Sequence, residues 1–442
     1  MTDRLHEYKS LLVLGLPILA GQLGNIATGF ADNIMLGHYD TDALAAASFC
    51  NNVFNLAILC SLGFAYGLTP TVSSLFARGA FARIGNVMRN AVLFNVLYAV
   101  LIMAAMGVMY LNLHRLGQPE ALLPLMRPYF VLCLVGLLPL AFFNVMAQWS
   151  YGIGNTAMPM WIILGGNVIN IVGNWALIYG NLGCSEMGLI GAGISTLTSR
   201  VLCAAVICLI FLLAKRYSVY SRSARAGRLE RGTLAAIWRT SVPVSMQLTF
   251  ETAAFSGAAI FVGMLGKIEL AAFQIIVTVG MLGFCVYYAI GAAVTIRVAR
   301  ACGRRSAKQA LRSAWCGYHI LLVAMVAAAM IFGFGSKYIM ALFTNDPKVL
   351  ACALSVVVPL ILYQIGDATQ VTFANALRGT SKVTPMLWIA LVSYIVVGLP
   401  STYVIGITLG YGLYGVVVSF SISLTLAAAL YLLYFRRAVR RL

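Results

Sequence analysis

Apolar residues gather in twelve long stretches with short polar breaks between them. They lie near residues 10–35, 44–77, 90–112, 122–150, 156–180, 187–215, 234–264, 270–300, 309–334, 349–377, 383–408 and 412–435. Each is long enough for a helix to cross a bilayer, which takes about 20 apolar residues. In hydrocarbon every backbone N–H and C=O must find a partner within the protein, so stretches of this length predict helices rather than isolated strands. The expected fold is an all-α membrane protein of twelve transmembrane helices. The second stretch exceeds one crossing and is expected to tilt or overrun the bilayer.

The pattern is also written twice. Residues from Pro17 to Gly79 align with Pro243 to Gly303 at an offset of 226 that drifts to 224. Pro17 meets Pro243, Gly37 meets Gly263, Leu44-Ala45 meets Leu270-Ala271 and Thr71 meets Thr295; further on, Gly154 answers to Gly379 and Gly188 to Gly412. A constant offset over half a chain marks an internal repeat. Two similar halves in an apolar chain are the mark of a transporter. The expected organisation is an N-lobe at 1–216 with spans 1–6, a cytoplasmic linker at 217–233, and a C-lobe at 234–442 with spans 7–12. Six spans per half make the halves parallel repeats. Pro17 and Pro243 each remove a backbone hydrogen bond inside a helix, and they are the hinge candidates.

Composition agrees with this reading. The chain is 61% hydrophobic and 10% charged, with a mean hydropathy of +0.91, whereas soluble domains carry about 25% charged residues. The net charge of +18 would suggest nucleic acid if it were spread evenly. It is not. With the termini and even-numbered loops on one side, that side holds 24 of the 30 basic residues. Lys and Arg mark the cytoplasmic face, so both termini are expected inside, with membrane lipids and not nucleic acid as the partner of this charge. The ten cysteines show no CxxC or metal-like spacing, and they read as packing residues. No phosphate-binding loop, HExxH or GxSxG motif occurs. The chain therefore reads as no enzyme and as having no cofactor, and any transport must draw on an ion gradient.

Twelve acidic residues exist, and nine fall in termini or loops, Glu7 among them, where solvation accounts for them. Asp32 in span 1, Glu251 in span 7 and Asp367 in span 10 do not. A charge at mid-membrane costs about 2.5–3.5 kcal/mol on insertion scales and points to ion or proton handling. Arg200, well inside span 6, is the one internal basic partner the sequence offers these acids. In span 5, Asn170 and Asn174 are four residues apart and share a helix face, and Thr196 in span 6 adds a hydroxyl. Carboxylate, amide and hydroxyl oxygens suit Na+ or a proton relay, so Na+ is a candidate ligand at Asp32, Glu251 and Asp367. Gln247 precedes Glu251 by one turn, and Tyr363 precedes Asp367 likewise. His319 has no metal-spaced partner and reads as structural.

The segments LPILAGQ and FADNIMLG in span 1, QLTFETAAF in span 7 and GDATQVTFANALRGTSK ending span 10 resemble the multidrug and toxic compound extrusion (MATE) transporters of the NorM-like bacterial branch. The resemblance covers essentially the whole chain. It implies two pseudo-symmetric six-helix lobes, a location in the bacterial inner membrane, and an antiporter that exports amphipathic, often cationic drugs or toxins in exchange for Na+ or H+. It places the N-lobe cation site on Asp32 with Asn170, Asn174 and Thr196, and the C-lobe pair on Glu251 and Asp367, with Tyr363 beside Asp367; Gln247 joins the C-lobe site by its one-turn spacing to Glu251. The family's Asp-Thr pair in span 1 is Asp32-Asn33 here. A monomer is expected. The alternative is a flippase for lipid-linked sugar or cell-wall precursors, which would need a cationic cavity for pyrophosphate.

Overall fold

The computed structural model describes residues 2–115, 119–344 and 346–442. Among them every regular element is a helix. Eleven helices are long and apolar enough to cross a membrane, and a twelfth crossing is a bent pair. Spans 1 to 6 are Asp3–Tyr39, Thr41–Ala77, Phe81–Leu111, Glu120–Ile153, Ala157–Tyr179 and Gly188–Leu213. Spans 7 to 9 are Arg231–Leu265, Lys267–Gly303 and Ala307–Ala341; span 10 is Pro347–Ser355 with Val357–Gly379, bent by 49°; spans 11 and 12 are Thr384–Thr408 and Gly412–Val439. Large apolar side chains such as Trp161 and Phe334 are 68% and 88% exposed, which suits an exterior solvated by lipid.

The long second stretch is explained by a break at Gly67, between Thr41–Tyr66 and Leu68–Ala77. A Cβ on Gly67 would stand 2.6 Å from Ser241 Cα, so only glycine permits this approach of span 7. Asp40 opens span 2 by accepting from the Asp42 and Ala43 amides at 3.3 and 3.1 Å, an N-cap that satisfies otherwise orphaned donors. Span 11 departs from α geometry over Leu391–Gly398 and Val404–Thr408, which are π-helical.

The chain divides into two compact units. One holds the residues up to Leu19 together with Met246–Leu442, and the other holds Ala20–Ser245. Span 1 crosses from the first to the second just after Pro17, and span 7 crosses back just after Pro243. Both helices run unbroken through their prolines. The Ala20–Ser245 unit is built on Phe54, Tyr129, Phe130 and Leu137, and the other on Phe273, Leu360, Val416 and Phe420.

The repeat is visible in local contacts. Thr69 Oγ1 donates to Gln148 Oε1 at 2.7 Å, and Thr295 Oγ1 donates to Asn375 Oδ1 at 3.1 Å. Gly152 packs on Val72 and the Thr69 carbonyl as Gly379 packs on Val298 and the Thr295 carbonyl. Left-handed turn residues recur as Gly79 and Arg305, Gly154 and Ser381, Gly188 and Gly412. These contacts hold the offset at 226 through Thr69/Thr295 and Gly79/Arg305 and pair Gly152, not Gly154, with Gly379. The sequence alignment had followed glycine identity, whereas the helix end needs a left-handed residue that Arg305 supplies in the second half.

Glu7 corrects the sequence reading. It is 5% exposed rather than solvated. Arg297 Nε donates to Glu7 Oε1 at 2.8 Å, Arg297 Nη2 donates to Oε2, and Ser313 Oγ donates to Oε1 at 2.6 Å. Arg312 Nη1 pairs with Asp3 Oδ2 at 2.9 Å, and Tyr8 Oη meets His319 Nδ1 at 2.9 Å. The start of span 1 is thus anchored to spans 8 and 9 of its own unit. Breaking a buried pair from one side leaves an uncompensated charge, at a cost of about 3–5 kcal/mol. Glu7→Ala is expected to lower the melting temperature of the purified protein sharply, and removing Arg297 as well (Glu7→Gln with Arg297→Gln) should recover much of the loss. A Glu7→Ala protein that melts with the wild type would rule out this anchor.

Candidate functional site: two acidic clusters and a cavity

In the Ala20–Ser245 unit, glycines of span 5 receive side chains of span 6 in close contact. A Cβ on Gly173 would lie 2.4 Å from Ser195 Oγ, and one on Gly166 would lie 2.3 Å from Cys203 Sγ. Small residues on one face let membrane helices approach closely, and Asn170 lies between these two glycines in sequence. Its amide is oriented with nitrogen toward Asp32, donating to Oδ1 at 3.0 Å, while its own oxygen accepts from Thr196 Oγ1 at 3.1 Å. Asn174 Nδ2 also donates to Asp32 Oδ1. Ser195 Oγ holds the Asn170 carbonyl at 2.8 Å. The structure therefore brings together Asp32, Asn170, Asn174 and Thr196, from spans 1, 5 and 6. One buried oxygen there, Asn174 Oδ1, has no hydrogen-bond partner.

A cavity of about 500 Å³ opens beside this cluster. Asp32, Asn170, Thr196 and Arg200 line it, along with Asn25, Asn51, Asn55 and Asn144. Arg200 is not an ion-pair partner for Asp32: the ion pairs among the described residues are Arg297–Glu7 and Arg312–Asp3.

In the other unit, Gln247 Nε2 donates to Glu251 Oε2 at 3.2 Å, one turn back along span 7. The Gln247 oxygen accepts from Arg378 Nη2 at 3.3 Å, and Arg378 Nη1 donates to Asn375 Oδ1 at 3.1 Å. Arg378 was expected in a cytoplasmic loop. It is instead the penultimate residue of a helix and 6% exposed, and it reaches the acidic cluster through Gln247. Asp367, 3% exposed, makes no hydrogen bond among the described residues, and its charge faces that of Glu251.

Tyrosines surround this pair. Tyr363 and Tyr287 are within electrostatic reach of Asp367, and Tyr394 and Tyr431 within reach of Glu251. The hydroxyls of Tyr287, Tyr394 and Tyr431 and both polar atoms of Gln364 are buried without partners. Buried polar atoms are normally satisfied, so this set marks a candidate binding site. Sequence reasoning missed Tyr394, Tyr431 and Arg378. Its available signal was the presence of tyrosines deep in spans 11 and 12, away from the interfaces where they are ordinarily enriched.

Two halves with matching contacts and an acid cluster in each unit narrow the field to repeat-built transporters. One family model, MatE, matches residues 17–176 and again 243–404. The chain belongs to the MatE family. Both matches begin at the paired prolines, so the family unit is the sequence repeat itself. Among curated relatives of this MatE chain, "Multidrug resistance protein MdtK" of Yersinia pseudotuberculosis serotype O:1b is 31% identical over 452 aligned positions, covering 99% of this chain and 96% of the relative. The protein of the same name from Yersinia pestis strain Pestoides F is 30% identical over the same coverage. The MatE fold is shared with the eukaryotic MATE transporter AtDTX14 at a TM-score of 0.87 and 17% identity, over 99% of this chain and 98% of that one. An outward-facing multidrug resistance MATE transporter of the MOP superfamily gives 0.86 at 22% identity, over 98% and 96%. The chain is thus a multi-span helical MatE protein of the bacterial inner membrane.

Proposed function

We propose that this MatE protein is a secondary antiporter that exports amphipathic, often cationic drugs or toxins in exchange for Na+ or H+. The observation that carries the proposal is the Glu251–Asp367 pair, a half-buried and a buried acid within electrostatic reach of each other among tyrosines, with no ion-pair partner among the described residues. The relatives named as multidrug resistance proteins support the same substrate class.

Competition supplies the mechanism. Negative charge attracts a cationic compound, and an inward-moving cation then neutralises the same carboxyls and releases it. Asp32, Glu251 and Asp367 are the coupling-ion sites in this scheme, with Asn174 Oδ1 and the tyrosine hydroxyls as further oxygen donors. One charge moving down 100 mV supplies about 2.3 kcal/mol, which is roughly forty-fold accumulation. The protein acts as a monomer, with no cofactor and with both termini in the cytoplasm, and Pro17 and Pro243 act as hinges where spans 1 and 7 change units.

Proteoliposomes loaded with a fluorescent cation test the proposal. Uphill transport is expected under an imposed Na+ or proton gradient, and none without one. Transport indifferent to both gradients would overturn it. Orientation has a native reporter in Cys184, which is exposed between spans 5 and 6. In spheroplasts an impermeant maleimide should label Cys184 from outside, and protection from outside with labelling from inside would invert the topology.

A further inference from the structure

We infer that the cavity where span 1 begins against span 9 is a binding site for the headgroup of an anionic phospholipid.

The cavity holds about 340 Å³, and Arg4, Tyr8, Lys308, Arg312, Trp315 and His319 line it. All six belong to one unit, and none belongs to either acidic cluster. Arg4 and Lys308 are exposed, and neither makes an ion pair among the described residues. Arg312 pairs with Asp3 at 2.9 Å. The other acid of this helix end, Glu7, is already held by Arg297 and Ser313. Arg436 of span 12 stands 5.8 Å over the Trp315 ring and adds a further cation behind it. Tyr8 Oη and His319 Nδ1 bond to each other at 2.9 Å. The pocket thus offers N–H donors and positive charge in excess, which is the chemistry that recognises a phosphate.

Its place along the helices selects a lipid over a free anion. Span 9 has 35 residues, about 50 Å at 1.5 Å each, against a hydrocarbon core of about 30 Å. Its ends overrun that core, so Lys308 and Arg312 in the first turns stand at headgroup level. Trp315 follows, and tryptophan is enriched at that boundary. Deeper in, spans 1 and 9 stay packed, since a Cβ on Gly317 would lie 4.0 Å from Leu11 Cδ1. The helix face of Tyr8 continues through Leu12 and Leu16, and that of His319 through Val323 and Val326. All four of these apolar side chains are exposed. A free phosphate would engage the cations alone. A phospholipid engages both, with its phosphate among the cations and its acyl chains along the apolar seam, and basic pockets between membrane helices suit such headgroups. A zwitterionic headgroup would set its ammonium beside Arg4, Lys308 and Arg312, so a net negative one is favoured.

The test compares a fluorescent-tailed phosphatidylglycerol with a phosphatidylcholine of the same tail. Binding is read by fluorescence polarisation on the purified full-length protein in a neutral detergent. The wild type is expected to prefer phosphatidylglycerol by about tenfold, the worth of one charge-assisted hydrogen bond. Arg4→Gln with Lys308→Gln should weaken phosphatidylglycerol roughly thirty-fold, as expected for two cations at a membrane surface, and bring the ratio of the two lipids near one. Should the double variant fail to fold, each single variant is expected to lose roughly fivefold. Arg440→Gln with Arg441→Gln removes the same charge outside the pocket and should leave the preference intact.

A wild-type ratio near one overturns the inference. An equal loss in the Arg440 and Arg441 variant does so as well, since the attraction would then be diffuse surface charge. Inorganic phosphate that binds as tightly as the lipid, read by displacement at constant ionic strength, would make the pocket a free-anion site instead.

Discussion

Asp367→Asn and Glu251→Gln are each expected to abolish gradient-driven efflux while leaving the protein folded. Both substitutions keep shape and remove charge. Glu251 accepts one hydrogen bond from Gln247, and a glutamine oxygen can accept the same bond. Asp367 makes no hydrogen bond among the described residues, and its charge opposes that of Glu251, so neutralising it relieves a like-charge repulsion inside the membrane. Arg378 keeps its bonds to Gln247 and Asn375 in either variant. Stability should therefore hold or rise, because an intramembrane charge costs about 2.5–3.5 kcal/mol to insert. Function should go the other way. Without both charges the site can neither attract a cation nor exchange it for the coupling ion, and accumulation of roughly forty-fold for one charge at 100 mV should fall to none. The paired measurement is a thermal melt with vesicle efflux on the same preparation. Wild-type efflux from both variants would remove these residues from the coupling scheme, and a collapse in melting temperature would recast them as structural.

Asp32→Asn should separate coupling from binding. Asp32 accepts from the amide nitrogens of Asn170 and Asn174, and an asparagine at position 32 can turn its oxygen toward them, so the cluster keeps its shape. The other unit still carries Glu251 and Asp367, so a cationic drug should still bind. What should disappear is uphill export. A ligand biases two conformations only by its difference in affinity between them, and an ion that no longer meets a charge at position 32 loses that difference. Equilibrium binding and uphill efflux are measured on the same protein. Intact gradient-driven efflux would refute an obligatory coupling role for Asp32, whereas loss of folding and binding together would make it a packing residue.

Much of this was legible in the chain because a bilayer is a severe solvent. It forces apolar stretches into helices, so twelve stretches became twelve crossings, the twelfth a bent pair, with ends off by up to nine residues. It makes each acid within a span expensive, so Asp32, Glu251 and Asp367 stood out without any structure. Helical period sufficed to place Asn170 and Asn174 on one face, and Gln247 one turn from Glu251. The repeat survived as glycines and prolines, because turns, breaks and close helix contacts tolerate few substitutes.

Tertiary structure decided what depends on the partner across a helix contact. Glu7 and Arg378 looked like solvated loop charges because hydropathy counts residues and not neighbours; Arg297 and Ser313 bury the first, and Gln247 and Asn375 bury the second. Arg200 was the one internal basic partner the sequence offered the acids, yet Asp32 takes its hydrogen bonds from two amides, and the guanidinium lines a cavity. Tyr394 and Tyr431 joined the Glu251 cluster only through the packing of spans 11 and 12, the first of them in a π-helical turn that no apolar periodicity announces. Sequence determined the helices and the charges they carry into the membrane, since the solvent acts on each residue separately. Which charges meet was settled by helix packing, since contact is a property of pairs far apart in the chain.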